Sequence, residues 1–129
     1  MTNAKFLIGQ SVDSKKEAEI KEYLQSFEII DKVFNLKTEV LKPGAVLVSA
    51  EIELHGTAIF NDEMIEKQLN RDVEELIELS QEKDFGGIRR ILVKTYDRSN
   101  RIYGKKIDEI QIRIKKKFPE IVSLTLEIR

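Results

Sequence analysis

Three side chains that can bind a divalent cation stand at alternate positions near the end of one predicted strand. They are Glu51, Glu53 and His55, and they supply two carboxylates and the only imidazole of the sequence. Alternate residues of a strand point to the same side, and zinc and manganese accept such ligands. The pattern therefore predicts a candidate metal site. Residues two apart on a strand lie roughly 7 Å from each other, so one ion would also need help from elsewhere, such as a second copy of the chain.

The alternative interpretation of these three residues is a solvated strand face that ends in a turn. The composition narrows the other possibilities, because the chain has no cysteine and a single histidine. Thiolate sites, disulfides and zinc sites built from several histidines of one chain are therefore excluded. The sequence requires no cofactor, and zinc or another divalent cation is the one that these side chains would accept.

Neither catalysis nor nucleic-acid binding is favoured by the sequence. Without a cysteine nucleophile or a glycine-rich phosphate loop after a strand, we predict that the chain is not an enzyme. The 22 basic and 23 acidic residues leave a net charge of −1, so no overall field attracts nucleic acid. Arg113 and Lys115 to Lys117 suit the C-terminal end of a helix, where cations complement the dipole. Contact with lipid headgroups is the alternative for this basic cluster.

Three segments alternate between apolar and polar residues, as strands with one buried face do. They run from about Ile30 to Val40, from Val46 to Leu54 and from Val122 to Ile128. The expected buried positions are Phe34, Leu36, Thr38 and Val40 in the first segment, and Val48, Ala50, Ile52 and Leu54 in the second. Pro43-Gly44 has the residue types of a tight turn, so the first two strands form a hairpin.

Apolar residues at spacings of three and four predict the helices. The first runs from about Ser14, as part of a capping box, to Phe27, and a second follows Asn61 or Asp62 as its cap. The apolar stripe of the second helix is Ile65, Leu69, Val73 and Leu76. Gly86-Gly87 breaks the chain, and a long helix then extends from about Ile88 to Phe118, with a break at Asp97 to Asn100 as the alternative. Its stripe is Ile88, Leu92, Tyr96, Tyr103, Ile107, Ile110, Ile114 and Phe118, with Ile112 on the opposite side.

These elements predict an α+β fold, a two-layer sandwich with a three-stranded mixed sheet in the order α-β-β-α-β, metallochaperone-like or ferredoxin-like. We expect one domain over residues 1–129, with an extended lead-in over residues 1–12 and a helical insertion at about residues 56–100 between the second strand and the last helix. The apolar residues of the insertion either pack on the long helix or form a dimer contact. No apolar run approaches the roughly 20 residues that span a bilayer.

Several short sequences resemble those of a known family. Leu7-Ile8-Gly9 precedes a polar helix, NLKT leads into KPGAVLVSAEIEL, and Phe118-Pro119-Glu120-Ile121 precedes LTLEI. This arrangement resembles the cytoplasmic C-terminal domain of cation diffusion facilitator transporters. The segment from EIELHGTAIFNDEMIEKQLNRDVEELIEL to YGKKIDEIQIRIKKKFPEIVSLTLEI is similar to the zinc-transporter-nine-like branch of that family, which carries a comparable insertion.

The resemblance implies a homodimerising regulatory domain at the cytoplasmic face of a membrane. In such proteins a membrane domain of the same polypeptide, absent from this chain, exchanges zinc or a related divalent cation for protons. The chain departs from the metal-sensing members, because Phe34 and Ala50 stand near two of their strand ligand positions and neither can bind metal. No ligand is therefore inherited from them. The alternative function is a free-standing ferredoxin-like module that binds a small molecule or a partner.

Overall fold

Secondary structure follows the predicted order of elements, in a computed structural model that describes residues 8–129. The elements are α1 (Ser14–Gln25), β1 (Ile30–Lys42), β2 (Ala45–Leu54), a 3-10 turn (Gly56–Phe60), α2 (Glu63–Gln81), α3 (Phe85–Lys117) and β3 (Ile121–Ile128). Residues 1–7 of the predicted lead-in lie outside the described residues. Farther along the lead-in, the Gly9 amide donates to the Val40 carbonyl at 2.7 Å and the Val40 amide donates to the Gln10 carbonyl at 2.8 Å. Gly9 and Gln10 therefore pair with the outer edge of β1.

The chain divides into two compact units, one made of residues up to His55 with Ile107–Arg129 and the other of Gly56–Lys106. The first unit, called here the sheet unit, contains α1, the three strands and the end of α3. The second, called here the helical hairpin, contains α2 and the beginning of α3. Within residues 8–129, no helix is long and apolar enough to cross a bilayer. The predicted single domain over residues 1–129 stays a prediction.

The sheet unit has the predicted α+β architecture with a three-stranded mixed sheet. The strand order is β1-β2-β3. β1 and β2 form an antiparallel hairpin, and β3 pairs parallel with β2. A parallel neighbour requires a long crossover, and the helical hairpin lies within that crossover in the sequence. Gly44 has a φ of +80° at the β1–β2 turn, a conformation that glycine adopts without the clash of a side chain.

The core of the sheet unit consists of apolar side chains from all its elements. The most deeply buried ones are Ile20, Leu24, Ile52, Ile110, Ile114 and Ile121, each at most 2% exposed. The predicted buried positions Val48 and Ala50 are also confirmed. Burying a large aliphatic side chain stabilises a fold by about 1.5–3 kcal/mol, so these residues hold the helices against one side of the sheet.

The predicted face of β1 is wrong at Phe34, because a bulge interrupts the alternation. Phe34 pairs with Glu51, and Lys37 pairs with Ser49. Between these two pairs the chain moves three positions along β1 but only two along β2. Asn35 has a φ of +51° there, and asparagine tolerates this left-handed conformation better than most residues. The bulge turns Phe34 to the exposed side of the sheet, while Thr38 remains buried.

The helical hairpin begins and turns at capped helix ends. Of the two predicted caps, Asp62 is the one used, and its carboxylate accepts hydrogen bonds from the Met64 and Ile65 amides at 2.9 and 3.4 Å. The uninterrupted long helix is also confirmed, because α3 continues through residues 97–100. The predicted break at Gly86-Gly87 is wrong: α2 ends at Gln81, and α3 already begins at Phe85.

Gly87 has a packing role instead of a chain-breaking one. The Asp84 carboxylate accepts a hydrogen bond from the Gly87 amide at 2.9 Å at the beginning of α3. A Cβ at position 87 would lie 2.9 Å from Leu79 Cδ2 and 2.8 Å from Asp84 Oδ2. Glycine at this position therefore lets α3 approach α2 closely.

The predicted apolar stripes of the hairpin are wrong at Val73, Leu92 and Tyr96. These side chains are 46%, 56% and 66% exposed, whereas Asp72 is only 7% exposed. The other predicted stripe positions of the hairpin are half-buried. The buried residue Asp72 can occupy the contact between the two helices because it has polar partners on α3, described below. Ile112, in the sheet unit, is 67% exposed, as predicted.

Candidate functional site

The exposed side of the sheet carries a row of charged, polar and aromatic side chains. Phe34, Glu51 and Glu127 lie side by side in register across β1, β2 and β3. The Asn35 amide nitrogen donates a hydrogen bond to a Glu51 carboxylate oxygen, and the Arg129 guanidinium lies 4.2 Å from the centroid of the Phe34 ring. This sheet-face row combines two carboxylates, an amide and a cation on an aromatic ring.

A shallow cavity of about 270 Å³ opens on the sheet-face row. Its lining residues are Asn35, Lys37, Ser49, Ala50, Glu51 and Glu127. Lys37 and Ser49 also line a neighbouring cavity of about 440 Å³ toward the other end of the sheet. Charges of both signs thus face solvent on a rigid sheet, which suits a polar contact with a small ligand or a second protein surface.

The structure places the three candidate metal ligands in different environments. Glu51 and Glu53 are half-buried on β2, and Glu51 already accepts the bond from Asn35. His55 follows the end of β2, and its amide donates to the Ile29 carbonyl at 2.7 Å. Across residues 8–129, no group of three or more histidine, aspartate or glutamate side chains is arranged to hold a metal ion. The metal site at Glu51, Glu53 and His55 stays a prediction that would require a second copy of the chain.

We expect calorimetric titration with zinc to give the same small heat for the wild type and for His55→Ala. The physical reason is that two carboxylates and one imidazole spread along a strand do not close around one ion. Glu51→Gln is the matched variant on the sheet-face row. A larger, saturable heat in the wild type that both substitutions abolish would establish the metal site and contradict this expectation.

Resemblance placed Phe34 and Ala50 near the ligand positions of metal-sensing relatives, but the two residues face opposite sides of the sheet. Phe34 joins the sheet-face row, while Ala50 is buried in the core at 4% exposure. Sequence reasoning missed Asn35, Glu127 and Arg129. The asparagine between Phe34 and Leu36 was the available signal, since asparagine is enriched where a bulge needs a left-handed residue.

The basic cluster at the end of α3 contacts aromatic rings of the sheet unit. The Arg113 guanidinium lies 5.9 Å from the Phe27 ring centroid, and the Lys117 ammonium lies 6.0 Å from the Tyr23 ring centroid. Tyr23 in turn packs edge-to-face against Phe27 and Phe118, at 5.3 and 5.8 Å. Cations over aromatic faces are attracted by about 0.5–1 kcal/mol at exposed sites, which gives part of this cluster a packing role.

The helical hairpin contains an ion pair in which the Asp72 carboxylate is buried and the Arg98 side chain is 31% exposed. The Asp72 carboxylate accepts hydrogen bonds from Arg98 Nη1 at 2.6 Å, Gln68 Nε2 at 3.2 Å and Thr95 Oγ1 at 3.3 Å. Burial raises the pKa of the Asp72 carboxyl, but the hydrogen bonds and the Arg98 charge outweigh burial and hold that pKa below its ordinary value. The pair fixes the alignment of α2 on α3.

Nearly the whole chain is similar to segments of several curated proteins. No protein-family profile matches it, and no solved structure matches it. It is 20% identical over 125 residues to metal tolerance protein C4 of Arabidopsis thaliana, and the aligned region covers 97% of this chain and 27% of that protein. It is 21% identical over 127 residues to the mitochondrial proton-coupled zinc antiporter SLC30A9 of Mus musculus, which covers 98% of this chain and 22% of that protein.

The human SLC30A9 antiporter gives the same coverage at 20% identity. The chain therefore spans about a quarter of the length of these curated relatives. The relatives are members of the cation diffusion facilitator family. The resemblance carried by the strands and the insertion is thus confirmed: over nearly its whole length, this chain is similar to a segment of cation diffusion facilitator proteins.

Proposed function

We propose that the chain is the dimerising regulatory domain of a divalent-cation exporter, with zinc as the transported ion. The supporting observation is the match over 97–98% of the chain to a metal tolerance protein and to proton-coupled zinc antiporters. Cation/proton antiport is carried by membrane helices outside this chain, and the domain lies at the cytoplasmic face. The names of these relatives are those of transporters, which supports a role other than catalysis.

The domain acts by pairing with a second copy. Two paired domains connect the membrane domains of two polypeptides and restrict the motion of one relative to the other. A regulatory ligand can act on such a pair only if it binds two arrangements with different affinity. The sheet-face row, with Glu51 and Glu127 beside Asn35, is the polar surface in the sheet unit where such a ligand would act.

A free-standing ferredoxin-like binding module is the second candidate. It is favoured by a cavity of about 380 Å³ beside the beginning of α1. Its lining residues are Ser11, Val12, Asp13, Lys16, Val40, Gly44, Val46 and Glu120. A cavity of this size can hold a small molecule, so this candidate predicts a ligand that is independent of transport.

The experiment that separates the two candidates begins with the gene that encodes this chain. If the encoded polypeptide contains apolar membrane spans, its zinc efflux is measured in proteoliposomes with and without residues 8–129. We expect removal of the domain to reduce efflux and to leave insertion into the membrane intact. A polypeptide without membrane spans, or efflux that is unchanged by the deletion, would contradict the proposed function.

A further inference from the structure

The helical hairpin exposes seven large apolar side chains, and five of them are called here the hairpin face. They are Val73 (46% exposed), Ile77 (54%), Phe85 (76%), Leu92 (56%) and Tyr96 (66%). Contiguous exposed apolar surface on a soluble domain commonly marks an interaction site. The five residues can act as one site only if they lie on the same side of the helical hairpin.

Helix geometry places these residues on one side of the hairpin. Asp72 and Thr95 contact each other between α2 and α3, and Val73 and Tyr96 each follow one of these two inward residues by one position. Leu92 likewise follows the buried residue Ile91. In two antiparallel helices, residues rotated by the same 100° step from the shared contact emerge on the same face.

The two remaining residues of the hairpin face lie on the same side of their helices as Val73 and Leu92. Ile77 lies four residues after Val73, and Phe85 lies seven residues before Leu92, spacings that keep a residue on one side of a helix. The hairpin face is therefore a two-helix apolar surface. Tyr96 and Phe85 add aromatic side chains, which are enriched in protein interfaces.

The charges of the two helices identify the partner. α2 carries six acidic and two basic residues, a net charge of −4, whereas residues 85–106 of α3 carry seven basic and one acidic residue, a net charge of +6. An anionic bilayer would repel α2. A second copy of the hairpin can instead place its basic α3 over the acidic α2 of the first, which is a complementary pairing.

We infer that the hairpin face binds the hairpin face of a second copy, forming an antiparallel four-helix bundle around a two-fold axis parallel to the helices. This axis sets α2 of each copy opposite α3 of the other, so that acidic and basic helices alternate and the apolar residues meet in the centre. The inference rests on the proposed dimerisation and assigns it to the insertion.

Light scattering of the whole chain tests the assignment, with Leu92→Glu as the disrupting variant and Ile112→Glu as the matched control. Ile112 lies on the same helix and is 67% exposed, but it is outside the hairpin face. We expect a wild-type dimer that Ile112→Glu preserves. Leu92→Glu should raise the dimer dissociation constant by about 100-fold, because a two-fold interface buries each substituted residue twice.

The same measurement separates failure of this inference from failure of the proposed function. A Leu92→Glu chain that remains as dimeric as the wild type overturns the hairpin interface and leaves dimerisation standing. A wild-type chain that is monomeric throughout overturns both. Binding of a monomeric wild type to anionic phospholipid vesicles, lost in Leu92→Glu, would also overturn the inference and assign the face to a membrane.

Thiol cross-linking tests the orientation, because the chain has no cysteine of its own. Asp72 lies at the level of Thr95, so Glu74 lies at the level of Val93 on the opposite helix. We expect a short thiol cross-linker to join Glu74→Cys chains to Val93→Cys chains in a mixture. Glu74→Cys chains that cross-link to one another instead would place α2 opposite α2 and overturn the proposed bundle.

Discussion

Replacing Arg98 with leucine should lower the free energy of unfolding by about 2 kcal/mol. The Asp72 side chain is buried, and its shortest hydrogen bond comes from Arg98 at 2.6 Å. Without the guanidinium, the carboxylate would keep only neutral donors, Gln68 and Thr95, in a site that water reaches poorly. Leaving a buried charge without its partner costs far more than losing an exposed ion pair. Urea denaturation followed by circular dichroism measures the loss.

Two control variants separate the ion pair from a general effect of removing a surface arginine. Arg101→Leu removes an exposed arginine one turn farther along α3, and should change the stability by no more than about 0.5 kcal/mol. Asp72→Leu combined with Arg98→Leu should recover most of the loss, because two apolar side chains can replace a buried pair. Equal losses in Arg98→Leu and Arg101→Leu would show that the pair does not stabilise the hairpin.

The ion pair of Asp72 with Arg98 also predicts how the stability of the folded chain changes with pH. The pKa of Asp72 is lowered in the folded chain. At a pH near the folded and unfolded pKa values, the unfolded chain therefore binds more protons than the folded one. The contribution to stability is therefore full above the unfolded value of about 3.9 and is lost as pH falls through the lowered folded value. In Arg98→Leu, the guanidinium no longer lowers the pKa of Asp72, so that pKa lies higher than in the wild type. Stability profiles between pH 6 and 3 should consequently fall less steeply for the variant than for the wild type.

The strands and the continuity of α3 could be predicted from sequence because their signals are local and mutually consistent. Period-two alternation marks β2, where Val48, Ala50 and Ile52 are all buried. Apolar residues at helical spacing stand on both sides of Ser99 and Asn100, and α3 continues through these two residues although their side chains can bond locally to the backbone. The order of the elements then left few possible topologies.

The bulge and the ion pair of Asp72 with Arg98 could not be predicted because each depends on a partner distant in sequence. The face of Phe34 follows from the pairing of β1 with β2, where one extra residue changes which side every preceding residue faces. The local pattern of apolar and polar residues assigns Asp72 to the surface, because aspartate is charged. It is buried only because Arg98, 26 positions later, lies within hydrogen-bond distance. The hairpin face became visible once that contact fixed the inward side of both helices.

Truncating Ile52 to alanine should destabilise the sheet unit by about 4 kcal/mol. Ile52 is completely buried and lies in β2, the central strand, between Val33 of β1 and Ile128 of β3 in the pairing register. Removing three carbon atoms from this position loses their transfer free energy and leaves a cavity, which neighbours held by hydrogen bonds on both sides cannot close. Urea denaturation at neutral pH, with light scattering to exclude aggregation, measures the change.

Ile128→Ala is the matched control for Ile52→Ala, since it makes the same chemical change at the position paired with Ile52 on β3. Ile128 is 63% exposed, so its truncation removes little buried surface and should cost less than about 1 kcal/mol. The difference between the two variants therefore isolates burial from strand propensity, which is the same for both. Equal losses would mean that β2 and β3 do not form the sheet described here, and the sheet-face row of Phe34, Glu51 and Glu127 would then lose its support.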